Sequence, residues 1–278
     1  QLLTHIPSIT ARIECVPIAT VVIPSVYHAQ LEWFLKHNSE YIRDLRVIIV
    51  TSSAESTQSF LEQYVPDVTV IFLPKPIGFA RTVNIGLQAA TTDWIATCND
   101  DVLLSDNWLE LLVAPTQEKT GGINPVIMNT AGEVESAGIT ILPIGRAQPL
   151  IEDIPETPFF TEALNAACVV YRRQALMEVG YFDERFGSYL EDVDVSLSLM
   201  KAGWSQLVVP SVRVTHHQHQ TSTKLLGWKK TAFDARNWWI LLAKHWSWRS
   251  RFRYLPGILL ERAKNISGIV KALLQSGK

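Results

Sequence analysis

The sequence predicts an α/β fold, a mostly parallel sheet flanked by helices, followed by a basic, helical C-terminal extension. Three observations predict it. Short β-branched runs alternate with helix-like segments through the N-terminal third, the signature of βαβ units. The hydrophobic fraction of 47% against 19% charged residues is that of a globular protein with a sizeable core. Basic residues then gather at the end: residues 224–278 hold 12 of the 25 Lys and Arg beside only Asp234 and Glu261.

The strand runs are Thr20–Ile23, Arg46–Val50, Val68–Phe72 and Trp94–Thr97. Helical segments are expected near 28–38, 55–64 and 79–90. Right-handed crossovers place such helices on both faces of the sheet. Ligands then bind at the carboxyl ends of the strands, which here read Pro24-Ser25, Thr51-Ser52-Ser53 and Asn99-Asp100-Asp101. After residue 120 glycines punctuate short strands, as in a meander or hairpin. The Pro- and acid-rich stretch 148–161 is long enough to be a functional loop. A strand over Ala166–Tyr171, helices near 173–179 and 191–202, and a last strand over Leu207–Val214 complete the core.

The cysteines Cys15, Cys98 and Cys168 form no Cys-x-x-Cys pair and read as buried thiols of a reducing compartment. The charge-free run 15–31 contains Pro17, Pro24, His28 and Gln30, so it does not read as a membrane span. No signal-peptide pattern is read at the N-terminus, and a chain opening on Gln1 suits a fragment or a processed product.

Four clusters could carry chemistry. Asn99-Asp100-Asp101 sets two carboxylates at a strand end. That suits a hard divalent cation with open positions for phosphate, although a solvated turn reads the same way. Glu191-Asp192 and Asp194 open a helix. Acids there favour the helix dipole, and one aimed into a cleft can act as a general base. Gly78-Phe79-Ala80-Arg81 leads into a helix carrying Asn84 and Gly86, a turn that can approach phosphate with Arg81 as donor. His216-His217 ends the last strand. A single imidazole joining a carboxylate on Mn²⁺ or Mg²⁺ is chemically reasonable, whereas zinc spacing is missing.

The order of these pieces is more specific than any one of them. Val21-Val22-Ile23-Pro24, then Gly78 to Gly86, then Asn99-Asp100-Asp101-Val102, resembles family 2 of the GT-A (Rossmann-like) glycosyltransferases. Glu133 to Gly138, Ala166 to Arg173, and Gly180-Tyr181-Phe182-Asp183 through Glu191-Asp192-Val193-Asp194 to Trp204 extend the likeness over about residues 18–223. It is most similar to the bacterial rhamnosyltransferase-like branch that builds surface polysaccharides.

The resemblance implies a catalytic domain over 1–223 and an extension over 224–278. It implies inverting transfer of one sugar from a UDP-, dTDP- or GDP-linked donor to a glycan or polyprenyl-linked acceptor. Asp192, beside Glu191, would be the catalytic base. Asp101 would reach a Mn²⁺ or Mg²⁺ ion, with His217 or His216 as a further ligand; the spacing to Ser222 favours His217. Pro24, Ser25, Thr51, Ser52, Gly78, Arg81, Asn84, Asn99 and Asp100 would bind the donor. Two departures stand out. Asn99 opens the Asp-x-Asp slot, and Thr51-Ser52-Ser53 lacks the acid that usually reads the nucleotide base. The Gln-x-x-Arg-Trp signature of processive synthases is also missing, since the chain reads Ala235-Arg236-Asn237-Trp238-Trp239.

The extension holds Trp228, Trp238, Trp239, Trp246 and Trp248, and Arg249, Arg251 and Arg253 interleave with Phe252 and Tyr254. Such mixtures suit an anionic membrane interface, or else aromatics packed on the core beneath a solvated basic face. The expectation is a cytoplasmic protein peripheral to the inner membrane face, with no nucleic-acid partner. The rival functions are a nucleotidyltransferase, disfavoured because no basic Gly-rich loop follows Val22-Ile23-Pro24, and a degenerate GT-A domain that only binds glycan or a partner.

Overall fold

The computed structural model describes residues 19–217 and 227–276. Cys15, His219 and Ser222 lie outside the described residues, as does the side chain of Trp228. The elements run β1 (Ala19–Ser25), α1 (His28–Ile42), β2 (Arg46–Thr51), α2 (Gln58–Leu61), β3 (Val68–Phe72), α3 (Phe79–Ala89) and β4 (Trp94–Cys98). Then follow β5 (Val102–Leu103), α4 (Trp108–Val113), β6 (Thr120–Met128), β7 (Val134–Ser136), β8 (Ile139–Ile141), β9 (Ala147–Pro149) and β10 (Phe159–Phe160). The chain continues through β11 (Cys168–Arg172), α5 (Arg173–Val179), α6 (Glu191–Lys201), β12 (Ser205–His216), α7 (Gly227–His245), α8 (Trp248–Arg253) and α9 (Leu255–Ser276).

The main sheet has the order β10-β12-β6-β11-β4-β1-β2-β3. The half built from β3, β2, β1 and β4 is parallel. β11 enters antiparallel between β4 and β6, and β6 and β12 pair parallel again. The sheet is therefore mixed, with parallel strands where the βαβ rhythm predicts them. Cys98 and Cys168 face each other across β4 and β11 as buried free thiols.

Helices cover both faces. On one, α1 buries Leu31, Phe34, Leu35, Asn38 and Ile42, a single stripe at helical spacing, against Val21, Ile23, Val47 and Ile49. On the other, α3, α5 and α6 pack Val83, Leu87, Leu176, Val195 and Leu199 against Val22, Ile48 and Val169. α3 lies close to β1: a Cβ on Gly86 would stand 2.3 Å from Val22 Cγ1. The segment 55–64 forms only the short α2, capped by Thr57 and burying Leu61 alone. Phe60, with Tyr64 and Val65 in the turns that follow, still packs against the core.

The extension shares the core. Trp238, Leu241, Leu242 and Ile258 are buried with Ile139, Ala163, Phe186 and Val193. Among the described residues no helix is long and apolar enough to cross a membrane.

Candidate active site

β1, β2 and β4 end side by side at Ser25, Thr51 and Cys98, so their following residues line one edge of the sheet. The loop after β4 is fixed from two sides. The Asn99 N–H donates to the Ala167 carbonyl at 2.9 Å. Behind it the buried Asn38 of α1 donates to the Val102 carbonyl and accepts from the Leu104 N–H, at 2.9 and 2.8 Å. Asp100 and Asp101 are each only 7% exposed. Burial pushes the Asp100 carboxyl up to about 7; a hydrogen bond with Ser25 opposes the rise and the neighbouring Asp101 adds to it. Thr51 is buried, and its hydroxyl accepts the Ser53 N–H. The Ser52 N–H reaches the Ser25 carbonyl at 3.4 Å, tying the β1 and β2 ends together beyond Pro24.

β12 brings the histidines to this edge by pairing His216 with Val102 of β5. His216 Nε2 lies 3.2 Å from Asp101 Oδ1, and its Nδ1 lies 3.0 Å from Glu135 Oε1. Burial disfavours the charged ring, but hydrogen bonds to Asp101 and Glu135 outweigh it and lift the pKa to about 9. The His217 N–H donates to the Asp101 carbonyl at 2.8 Å, and its ring packs on Trp33 with centroids 4.5 Å apart. Among the described residues no group of three or more His, Cys, Asp or Glu side chains is arranged to hold a metal ion by itself. The Asp101–His216 pair still fits a cation that takes its other ligands from substrate phosphates and water, the habit of Mg²⁺ in phosphate sites. Its oxygen-plus-imidazole donor set suits Mn²⁺ too.

Across the edge, Asp192 stands in the first turn of α6. Its Oδ1 accepts from the Val193 N–H at 2.8 Å and its Oδ2 from Ala166 at 3.4 Å. Ala166 precedes the residue that receives the Asn99 N–H, so the two acidic clusters meet through a single bend of chain. The buried Asn124 holds that bend, donating to the Asn165 and Cys168 carbonyls and accepting from the Asn165 N–H. Burial raises the pKa of both Glu191 and Asp192, and the Asp192 charge raises Glu191 further. Glu191 Oε2 and the Tyr171 hydroxyl are buried without a hydrogen-bond partner among the described residues. Orphaned polar atoms of this kind call for an explanation. Burial and the Asp192 and Glu191 charges hold the Tyr171 hydroxyl well above the ordinary phenol range.

The loop after β3 ends at Gly78, whose φ of 91° opens α3. Arg81 is exposed and sits 3.6 Å from Glu184. Asn84 is committed elsewhere: its amide donates to the Phe182 carbonyl at 2.8 Å and accepts the Phe182 N–H at 3.0 Å. It braces the Gly180–Asp183 turn. Asp194, next to the catalytic candidates in sequence, points away to α7. There Lys244 Nζ and His245 Nε2 each approach it to 2.7 Å.

Sequence reasoning missed Glu135, Tyr171 and three of the four buried asparagines, Asn38, Asn124 and Asn237. The available signal was a polar side chain inside an otherwise apolar run, as in Gly121-Gly122-Ile123-Asn124-Pro125. Such a residue needs a partner to be buried.

A Rossmann-like sheet with paired acids beyond the fourth strand and a carboxylate-bearing helix facing them is a GT-A glycosyltransferase domain, acting on nucleotide-sugar donors. A family model described as "Glycosyltransferase like family 2" matches residues 15–232, and the chain belongs to that family. It is 27% identical over 244 residues to an N-acetylglucosaminyl-diphospho-decaprenol L-rhamnosyltransferase of Mycobacterium tuberculosis, covering 76% of this chain and 79% of that protein. It is 29% identical over 216 residues to a pre-mycofactocin glycosyltransferase of the same organism, 43% of whose length it spans. Among solved structures it resembles GalNAc-T7 bound to UDP, GalNAc and Mn²⁺, with a TM-score of 0.66 at 17% identity, over 86% of this chain and 50% of that one. A Pyrobaculum calidifontis mannosyltransferase bound to GDP-mannose and Mn²⁺ gives 0.60 at 16%, over 94% and 79%.

Proposed function

We propose that the protein is an inverting, metal-dependent glycosyltransferase that moves one sugar from a nucleotide-sugar donor to a glycan or polyprenyl-linked acceptor. The observation that carries this reading is Asp192. It is a carboxyl raised by burial, held by two backbone amides, and joined through Ala166 and Ala167 to the Asn99–Asp101 loop.

In the proposed reaction Asp192 takes the proton from the acceptor hydroxyl. The freed oxygen attacks the anomeric carbon as the bond to the diphosphate breaks on the opposite face, which inverts configuration. Asp101 and His216 would hold the cation; when bound it neutralises charge on the leaving diphosphate. His216 must give up its proton to become a ligand, and Glu135 on its other nitrogen orients the ring. Arg81, only loosely paired with Glu184, is free to swing toward the donor phosphates. Pro24, Ser25, Thr51 and Ser52 would line the nucleotide. Asn84 would serve by fixing the loop it braces.

The kinship with a rhamnosyltransferase whose name specifies a diphospho-decaprenol acceptor supports a lipid-linked acceptor. The exposed Trp248 and Phe252, 63% and 72% accessible, lie on α8 among Arg249, Arg251 and Arg253. They support docking on an anionic membrane surface. A glycan-binding domain without catalysis is the second reading, favoured by the missing acid at the β2 end. Calorimetry with UDP, dTDP and GDP in the presence of Mn²⁺, followed by turnover assays of Asp192→Asn, separates the two. Binding with turnover that collapses in the variant supports the enzyme. An Asp192→Asn variant as active as the parent removes the base, and no nucleotide binding at all leaves the second reading.

A further inference from the structure

The segment 185–189 leads directly into Glu191 and Asp192, and its backbone is held in an unusual way. Gly187, Tyr189 and Leu190 have φ of 69°, 75° and 66°. Two adjacent non-glycine residues in the left-handed region cost on the order of 1–3 kcal/mol each and persist only where surrounding structure imposes them. The constraint comes from the C-terminal extension. Asn237 of α7, fully buried, points its amide at three carbonyls, those of Phe186, Ser188 and Tyr189, each at 2.8 Å. An NH₂ group has two protons, so one is shared. The amide cannot flip, because its Oδ1 accepts from Arg236 Nη1 at 3.0 Å. That same Nη1 donates to the Arg185 carbonyl at 2.9 Å. The remaining carbonyl, that of Gly187, accepts the Ala80 N–H at the start of α3, at 3.0 Å. All five carbonyls from 185 to 189 are thus accounted for, four by α7 and one by the donor-side helix.

We propose that Asn237 is a positioning residue for the base. It holds the 187–190 turn so that α6 starts with Asp192 aimed at the site. The extension is therefore part of the catalytic unit, in addition to any surface it docks on. The inference rests on the assignment of Asp192 as base.

Leu241 supplies the control. It is buried on the same helix, and its apolar side chain can hydrogen-bond to none of these carbonyls. Turnover would be measured with a dTDP-sugar donor and a short polyprenyl-diphospho-N-acetylglucosamine acceptor, with Mn²⁺ present. Asn237→Ala should lower kcat by about 100-fold, the cost of a misplaced catalytic group, with donor KM within about twofold. Leu241→Ala should lower the Tm at least as much while kcat stays within about threefold. In an Asp192→Asn background, Asn237→Ala should add less than about threefold, because the two act as one unit. Amide exchange across 185–192 should rise in Asn237→Ala while β1 and β2 stay protected.

Full additivity of the two substitutions, or equal kcat losses in Asn237→Ala and Leu241→Ala, would overturn the proposal. If Asn237→Ala does not fold, Asn237→Gln, which keeps the donor amide one methylene further out, carries the same kinetic and exchange tests. Asp192→Asn retaining parental activity would instead sink the base assignment, an outcome distinct from a dead Asp192→Asn beside a fully active Asn237→Ala.

Discussion

At the residue scale the site depends on carboxyls held away from their ordinary titration. A base must be ionised to accept a proton. Because burial raises Asp192, the acid limb of kcat/KM should lie above the ordinary carboxylate range near pH ~4. A rate profile flat down to that range would contradict the role. Asp192→Asn should cost about 10²–10⁴ in turnover with nucleotide affinity unchanged by calorimetry. His216 gives a second pH signature. Its folded pKa, about 9, is above the ordinary imidazole value of 6.5. In metal-free protein its stabilising pair with Asp101 and Glu135 is therefore complete below the unfolded value and lost as pH rises through the folded one. Denaturant titrations of the chelated protein should show stability falling over that window, and His216→Gln should abolish the slope. Mn²⁺ binding near neutral pH should release a proton from this ring, measurable from calorimetric heats in buffers of different ionisation enthalpy.

At the element scale the recurring device is a buried asparagine that ties a loop of the site to a packed helix or strand. Asn38 of α1 holds the residues after Asp101, Asn84 of α3 the turn that precedes α6, Asn124 of β6 the 165–168 bend, and Asn237 of α7 the segment 185–189. Each carries donors and an acceptor on a short, rigid stem, so one side chain can replace the hydrogen bonds that a loop lacks. Removing such a partner leaves backbone groups buried and unpaired, at about 1–3 kcal/mol. Asn38→Leu, similar in volume, should therefore lower stability by roughly that amount and weaken nucleotide binding with Mn²⁺. Unchanged Mn²⁺-dependent affinity would show that the loop holds itself. Packing is equally strict where α3 crosses β1. Gly86→Ala puts a methyl 2.3 Å from Val22 Cγ1, and overpacking of this kind typically costs about 1–3 kcal/mol, readable as a lower Tm.

At the scale of the whole molecule, the charge asymmetry seen in composition acquires a shape. The acidic body closes on an extension whose inner face is apolar and whose Lys244 and His245 meet the buried Asp194. The outer face carries Trp248, Phe252, Leu259 and Leu260, all well exposed. Trp248→Ser with Phe252→Ser should reduce flotation with vesicles rich in anionic lipid while turnover on a short, water-soluble acceptor is retained. Equal flotation of variant and parent would remove the membrane surface from the account. Shortening the chain to residue 223 is a poor test of the same point. It strips Trp238, Leu241, Leu242 and Ile258 from a core cluster that includes Val193 and should destabilise α6 directly.

The strands at Thr20, Arg46, Val68 and Trp94, the helices opening at Phe79, Arg173 and Glu191, and the acids at 100, 101, 191 and 192 were legible from sequence. Periodicity and β-branched runs are local properties, and the family order of motifs is linear. What the tertiary structure decided is everything that needs two distant segments at once. The helix expected over 55–64 is only the short α2, with the core contacts of Tyr64 and Val65 made by the turns after it. His216 proved to bridge Asp101 and Glu135 through the pairing of β12 with β5, although the spacing to Ser222 pointed at His217. Asn84 turned out to brace a loop. The extension donates, through Arg236 and Asn237, to four of the five carbonyls of 185–189 on the approach to Asp192. A hydrogen bond between residues fifty positions apart leaves no periodic trace in composition, since only the closed chain brings donor and acceptor within about 3 Å.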